Sequence, residues 1–162
     1  DQGSHATGTE PGATWFRTGD LGVYLDGELY ITGRVKDLVI IDGRNHYPQD
    51  IEATVEEASP AVRRGFVAAF SVPADELPAG VDQGNGTGER VVIVAERAAG
   101  AGRAAPEPIV DAIRAAVSRR HNLPIADIQL VQAGAIPRTT SGKLARRACR
   151  QEYLDNKLGV RA

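Results

Sequence analysis

A short polar segment near the end of the chain, residues 137–143 (PRTTSGK), has the residue types needed to bind an anion. Glycine lets the backbone bend closely round a ligand, hydroxyl groups donate hydrogen bonds, and lysine supplies a mobile positive charge. These groups suit a phosphoryl or carboxyl group. The segment is not a Walker A loop, because the preceding glycine lies too far from Gly142 and Leu144 stands where a magnesium-binding Ser or Thr belongs. Taken alone, it could equally be a turn before a helix, with Ser141 as a cap and Lys143 in solvent.

Two further polar segments lie earlier in the chain. Residues 16–22 (FRTGDLG) hold Asp20 beside a tight glycine turn, where its carboxylate could accept two hydrogen bonds from the vicinal hydroxyls of a ribose. Residues 33–37 (GRVKD) carry Arg34, which could hydrogen-bond a nucleotide. Lys36 and Asp37, which follow, could form a polar hinge between two domains. Each segment read singly could also be an ordinary loop or strand edge.

Lysine is rare in this chain. Of 19 basic residues, the lysines are Lys36, Lys143 and Lys157 alone, and the others are arginine. A chain that uses arginine almost everywhere keeps lysine where a compact, mobile charge is needed. This bias singles out Lys36 and Lys143, which both lie in the polar segments.

Hydrophobic spacing and turn residues predict the elements that position these segments. A β-hairpin is expected over residues 23–31, with Asp26 and Gly27 in a type I′ turn, and residues 38–41 read as a short buried strand. Further strands are predicted at 66–72, 90–95 and 128–131, and helices at 49–58, 107–121 and 144–155. Because strands and helices mix without strict alternation, the fold class predicted is α+β, a small mixed sheet with packed helices.

Composition excludes several classes of protein. The 162 residues carry a net charge of −2, which argues against a broadly basic nucleic-acid binder. No apolar run reaches the roughly 18 residues of a membrane span, so none is expected. A single cysteine, Cys149, excludes a disulfide framework and fits a reducing cytoplasm. His46 and His121 lack partners at metal-ligand spacing, so no metal site is expected.

The three polar segments occur in the order Arg-Thr-Gly-Asp, Gly-Arg-x-Lys-Asp and Pro-x-Thr-x-Ser-Gly-Lys. This order resembles the C-terminal portion of the adenylate-forming superfamily, which includes acyl-CoA synthetases, luciferases and peptide-synthetase adenylation domains. The resemblance covers residues 15–153. Residues 39–52 (VIIDGRNHYPQDIE) are similar to one branch, the fatty acyl-AMP ligases. Residues 136–150 resemble the actinobacterial enzymes of this branch that feed polyketide synthases, most nearly those of the mycolic-acid pathway.

The resemblance implies a two-step enzyme that uses ATP and Mg²⁺. A long-chain fatty acid is first converted to acyl-AMP, and the acyl group then passes to the phosphopantetheine thiol of an acyl carrier protein of a polyketide synthase. In this family, ATP and Mg²⁺ are bound mainly by a larger N-terminal domain. Its phosphate loop, adenine pocket and acyl tunnel are not in this sequence, so the isolated chain is expected to be inactive.

The resemblance also implies roles for individual residues. Asp20 matches the ribose-binding aspartate of the family, and Arg34 matches an arginine that contacts the ribose region. Lys36 falls at the hinge between the large domain and the small lid domain. Lys143 matches the lysine that bridges the carboxylate and the α-phosphate, and Gly43 lies on a loop that faces the pantetheine path.

Three parts follow from the same resemblance: residues 1–34 as the tail of the large domain, 35–37 as the hinge, and 38–162 as the C-terminal lid domain. Two other functions stay open. One is a fatty acyl-CoA ligase with the same lid. The other is a carrier-protein-docking module without catalysis, which would bind through the basic helix over residues 144–153.

Overall fold

The computed structural model of the chain describes residues 18–84 and 86–159. The segment over residues 1–14 is rich in Gly, Ser, Thr and Pro, which predicts a loop, and it lies outside the described residues. The chain divides into two compact units, Asp1–Lys36 and Asp37–Ala162.

The first unit contains the predicted hairpin. Strands β1 (Asp20–Leu25) and β2 (Glu28–Arg34) pair antiparallel around Asp26 and Gly27. Both turn residues have positive φ, 51° and 85°, as a type I′ turn requires. Six large apolar side chains of this hairpin are between 49% and 73% exposed: Val23, Tyr24, Leu25, Leu29, Tyr30 and Ile31. The hairpin thus builds no core of its own, as expected for an isolated pair of strands.

A single 3₁₀ turn, Val35–Asp37, follows β2, and the second unit opens with another hairpin. Its strands are β3 (Val39–Ile41) and β4 (Arg44–His46), joined by Asp42 and Gly43 with φ of 49° and 75°. The strand predicted at residues 38–41 is present as β3, with Val39 and Ile41 buried, and it pairs with β4 in a two-stranded sheet separate from the three-stranded one. Strand β4 was not predicted because Arg-Asn-His has no apolar pattern, although Asp-Gly is the same hairpin signal as in the first unit.

The main sheet has three strands in the order β5-β6-β7. They are β5 (Val62–Pro73), β6 (Glu89–Arg97) and β7 (Ile125–Val131). β5 and β6 are antiparallel, whereas β6 and β7 are parallel and are joined by a crossover that contains a helix. The sheet is mixed and carries packed helices, so the predicted α+β class is confirmed.

In the described part of the chain, three α-helices accompany this sheet: α1 (Pro48–Ala58), α2 (Pro106–His121) and α3 (Arg146–Leu154). The core forms two clusters that share the central strand. Ile93 belongs to a cluster with apolar residues of α1 and α2, and its neighbour Val94 belongs to one with Cys149 and Tyr153 of α3. Alternate residues of β6 therefore serve opposite faces, which explains why this strand is apolar almost without interruption.

Helix α3 begins at Arg146, two residues later than the predicted Leu144. Leu144 instead forms an antiparallel bridge with Arg138, and the Ala145 N–H donates to the Pro137 carbonyl at 3.1 Å. This local pairing closes the loop over residues 137–143 before the helix starts.

A buried ion pair joins elements that are distant in sequence. Glu52 of α1 is 7% exposed and accepts two hydrogen bonds from Arg146, one from Nε at 2.6 Å and one from Nη2 at 2.7 Å. The same carboxylate accepts the Ala69 N–H of β5 at 3.0 Å. Helices α1 and α3 are thereby both tied to the outer edge of β5.

We predict that Arg146→Met lowers the free energy of unfolding by about 3–5 kcal/mol, because it leaves the buried Glu52 carboxylate without its cation. Urea unfolding of the chain measures the change. Arg147→Met is the matched control, since Arg147 is 68% exposed and its Nε lies 3.7 Å from Asp37. That exposed pair should contribute little. Equal losses in the two variants would contradict the special role of Glu52 and Arg146.

Candidate functional site

The loop over residues 137–143 uses its hydroxyl groups to build its own turn. The Thr139 N–H donates to the Lys143 carbonyl at 2.8 Å, and the Gly142 N–H donates to the Thr139 carbonyl at 2.8 Å. The Thr139 hydroxyl accepts the Lys143 N–H at 3.1 Å and lies 2.9 Å from Ser141 Oγ. Ser141 is not the cap of α3, because the N-cap position is Ala145 and has no side-chain hydrogen bond.

The side chain of Lys143 is exposed at the end of this loop. Among the described residues it forms no ion pair. A lysine held in this way has a fixed backbone and an ammonium group that is available to an incoming anion. This geometry is compatible with the anion-binding interpretation, which stays a prediction.

The start of the loop is anchored by a carboxylate that the sequence interpretation missed. Glu96 of β6 is fully buried, and its Oε1 accepts the Ile136 N–H at 3.0 Å. Its Oε2 accepts a hydrogen bond from Arg63 at 2.7 Å. The available signal was a glutamate within the apolar run VVIVAE, because a buried charge needs a specific partner.

Asp20 and Arg34, the predicted ribose contacts, are brought together in the first unit. They are cross-strand partners of β1 and β2, and Arg34 Nε lies 3.3 Å from Asp20 Oδ1. The Asp20 N–H also donates to Thr18 Oγ1 at 3.1 Å. The Arg34 side chain is 72% exposed, and its ion-pair partner among the described residues is Asp20, so a guanidinium with five N–H donors has capacity for a further ligand.

The other two predicted site residues lie at turns. Lys36 is the middle residue of the 3₁₀ turn, and its side chain lies outside the described part of the structure. Gly43 has a φ of 75° in the β3–β4 turn, where an added Cβ would meet nothing within 4 Å. Among the described residues, no hydrogen bond or ion pair joins Gly43 to Lys143.

The basic residues of α3 are engaged within the fold. Arg146 binds Glu52, while Arg150 donates from Nε to the Ser71 carbonyl at 3.0 Å and lies 3.4 Å from Glu76. These contacts occupy basic side chains of the helix through which a carrier-protein-docking module would bind, and they weigh against that interpretation. Cys149 on the same helix is buried, which raises the pKa of its thiol to about 12 and makes it a packing residue.

His46 and His121 lie at the ends of β4 and α2. Thr54 Oγ1 is 2.7 Å from His121 Nε2, which gives that ring a hydrogen-bond partner. In the part of the chain that is described, no three His, Cys, Asp or Glu side chains cluster as a metal site would require. Nor does any described helix have the length and apolar character to cross a membrane.

Comparison with known proteins gives close relatives in sequence. No protein-family model matches the chain. It is 58% identical over 164 residues to the long-chain-fatty-acid–AMP ligase FadD32 of Mycolicibacterium smegmatis. This match covers 96% of the chain and 26% of that protein. It is 43% identical to the medium-chain-fatty-acid–[acyl-carrier-protein] ligase JamA of Moorena producens, over 95% of this chain and 24% of that protein. The chain thus spans about a quarter of the length of these curated relatives.

A solved structure gives the same relationship. A chain from a study of the fatty acyl-adenylate ligases of E. coli and L. pneumophila matches with a TM-score of 0.67 and 34% identity. The match covers 88% of this chain and 22% of that chain. Sequence and fold therefore point to one group of proteins.

The pH dependence of stability offers a test of the environment of His46. Burial, His121 and Arg44 all lower the pKa of His46 below its ordinary value of 6.5. The unfolded chain therefore takes up this proton at a higher pH than the folded chain, so stability falls as the pH drops below 6.5. We predict that His46→Gln flattens this fall, as measured by urea unfolding from pH 8 down to pH 5. If the free energy of unfolding of His46→Gln fell with pH as steeply as that of the wild type, the lowered pKa of His46 would be contradicted. A difference in the free energy of unfolding that is the same at every pH would not contradict it.

Proposed function

Because the chain is similar in sequence and fold to the C-terminal part of the fatty acyl-AMP ligases, which are adenylate-forming enzymes, we propose that it is the C-terminal region of such a ligase. The enzyme would activate a long-chain fatty acid with ATP in the cytoplasm. ATP and Mg²⁺ would be held mainly by the remaining part of the enzyme, which the curated relatives contain and this sequence does not.

Lys143 is the catalytic residue in this proposal. In the first half-reaction, a carboxylate oxygen of the fatty acid attacks the α-phosphorus of ATP. The bond from that phosphorus to the oxygen bridging to the β-phosphate breaks, and pyrophosphate leaves with the electron pair. The reaction brings two anions together, and the Lys143 ammonium between them would offset their repulsion. A single preorganised contact of this kind typically contributes about 10²–10³ in rate.

Asp20 and Arg34 are proposed to bind the ribose of ATP and acyl-AMP. A carboxylate can accept hydrogen bonds from both ribose hydroxyls. Their 3.3 Å separation supports a joint role, because a ligand that meets one side chain also meets the other. Since the Arg34 side chain is 72% exposed, its attraction to Asp20 is screened by solvent and contributes little to stability.

We place a hinge at residues 35–37, between the tail of the large domain (residues 1–34) and the lid domain (residues 38–162). Two observations support it. The boundary between the compact units falls after Lys36, and a 3₁₀ turn interrupts the extended chain there. Hinges are commonly a few residues at the ends of such elements. The exposed apolar side chains of the first hairpin would then pack against the rest of the large domain.

The acyl group is proposed to pass to the phosphopantetheine thiol of an acyl carrier protein of a polyketide synthase. The name of the Moorena producens relative includes an acyl carrier protein as its acceptor. Gly43 lies in an exposed turn where an added Cβ would meet nothing within 4 Å, so its described neighbours do not obstruct a pantetheine arm there. Coenzyme A carries the same thiol arm, so a comparison of the two acceptors tests this part of the proposal.

The exposed Lys143 at the end of the 137–143 loop, which forms no ion pair with any described residue, is the observation that carries the proposal. We predict that Lys143→Ala in the full-length enzyme abolishes fatty-acid-dependent pyrophosphate exchange but spares transfer from supplied acyl-AMP. Lys157→Ala is the matched control, since Lys157 is an exposed lysine whose Nζ lies 4.0 Å from Asp155. If Lys143→Ala lost both half-reactions equally while remaining folded, the role assigned to Lys143 would be wrong.

The hinge gives a separate prediction. Proline at position 36 holds φ near −65° and disfavours a helical conformation at Val35. Lys36→Pro in the full-length enzyme should therefore restrict the swing of the lid and impair one half-reaction far more than the other, with little change in the unfolding temperature. The same two assays measure it, and equal damage to both half-reactions, or none, would move the hinge elsewhere.

A further inference from the structure

Strand β5 leaves the regular ladder over residues 63–66, and we refer to these four residues as the β5 bulge. The register jumps from the pair Val62 and Arg97 to the pair Val67 and Ala95, so the bulge is the longer side. Gly65 has a φ of 78°, and its N–H donates to Glu56 Oε1 at 2.7 Å. The bulge is therefore a shaped and anchored feature rather than a frayed strand.

Arg138 connects the β5 bulge to the lysine loop. Its guanidinium donates to the Gly142 carbonyl at 2.5 Å and also to the Gly65 carbonyl. The same guanidinium lies over the ring of Phe66, 3.8 Å from the centroid. Gly142 immediately precedes Lys143, so this single side chain ties the backbone next to the lysine to β5.

The two carbonyls and the ring require a planar cation. A guanidinium presents several N–H groups in one plane and can stack on an aromatic face while it donates at its edge. An ammonium group at this position carries the same charge, but it lacks the plane needed for all three contacts at once. The arginine is thus explained by geometry as well as by charge.

Glu96 also links the lysine loop to the β5 bulge. It holds the Ile136 N–H at the start of the loop and, through its other oxygen, Arg63 of the bulge. The Arg63 guanidinium also lies over the Phe66 ring, 3.5 Å from the centroid. Within the bulge, Arg63 therefore holds the Phe66 ring and is itself held by Glu96.

We propose that Arg138 is a positioning residue for adenylation. Through its hydrogen bond to the Gly142 carbonyl it fixes the position of the Lys143 backbone, and its own guanidinium is held in place by stacking on Phe66. The inference rests on the proposed function of Lys143, and it requires no contact between Arg138 and the substrate. The loop needs such a tether because its other hydrogen bonds to described residues stay within residues 137–145, and residues 138–143 are exposed. A misplacement of about 1 Å at a reacting group can cost on the order of 10²-fold in rate.

The test uses the full-length enzyme with Arg138→Gln, Arg138→Lys, Phe66→Leu and Phe66→Tyr. Two activities are measured for each: fatty-acid-dependent pyrophosphate exchange, with its kcat and the KM for ATP, and transfer from supplied acyl-AMP. Both Arg138 variants and Phe66→Leu should lower the kcat of exchange by about 10-fold to 100-fold, with an unchanged KM and normal transfer. Phe66→Tyr keeps the ring and should restore exchange.

Arg64→Gln is the matched control, since it removes an exposed arginine from the same bulge and should leave both activities unchanged. Three results would overturn the inference: wild-type exchange in Arg138→Lys, an equal loss of both activities in the Arg138 and Phe66→Leu variants, or equal behaviour of Phe66→Leu and Phe66→Tyr. Phe66→Leu leaves Arg138 in the chain, so it gives an independent answer if an Arg138 variant does not fold.

The same assays separate this inference from the function on which it rests. Full exchange in Lys143→Ala would overturn the role of the lysine, and the positioning role with it. Loss of exchange in Lys143→Ala together with normal exchange in every Arg138 and Phe66 variant would overturn only the positioning role.

Discussion

The buried ion pair of Glu52 and Arg146 is the constraint on which the second unit depends. A carboxylate removed from water must be met by a cation and by hydrogen bonds, and Glu52 receives both from Arg146 and from the Ala69 N–H. Helix α1 follows the turn that contains Gly43, and α3 follows the loop that contains Lys143. This ion pair thus links the elements that follow both candidate functional segments to the edge of the sheet.

The buried core and the candidate site lie in different parts of the second unit. The sheet is buried on both faces, whereas the 137–143 loop is mostly exposed and held by hydrogen bonds. A rigid scaffold with an exposed loop is the usual arrangement for residues that must meet a ligand. Glu96 joins the two parts, because it lies inside the sheet and yet binds the Ile136 N–H at the start of the loop.

The first unit has the opposite character. Its two strands expose apolar side chains and build no core, while Asp20 and Arg34 sit opposite each other at the open end of the hairpin. An element of this kind needs a partner surface to bury its apolar residues. In the proposed ligase that surface is the rest of the large domain, and the ribose contacts would be held there together with the nucleotide.

Local signals in the sequence determined the hairpin at Asp26 and Gly27, the three described helices and the strands of the main sheet. A local motif also identified Lys143 as the candidate catalytic residue. Each depends on residues that are close in the chain, as turn chemistry and hydrophobic spacing do. The tertiary structure alone decided that β3 pairs with β4, that Arg146 belongs to Glu52, and that Arg138 reaches Gly65. The last two pairs lie 94 and 73 residues apart. No local pattern encodes such a contact, because it exists only after the sheet has brought β5, α1 and the lysine loop together.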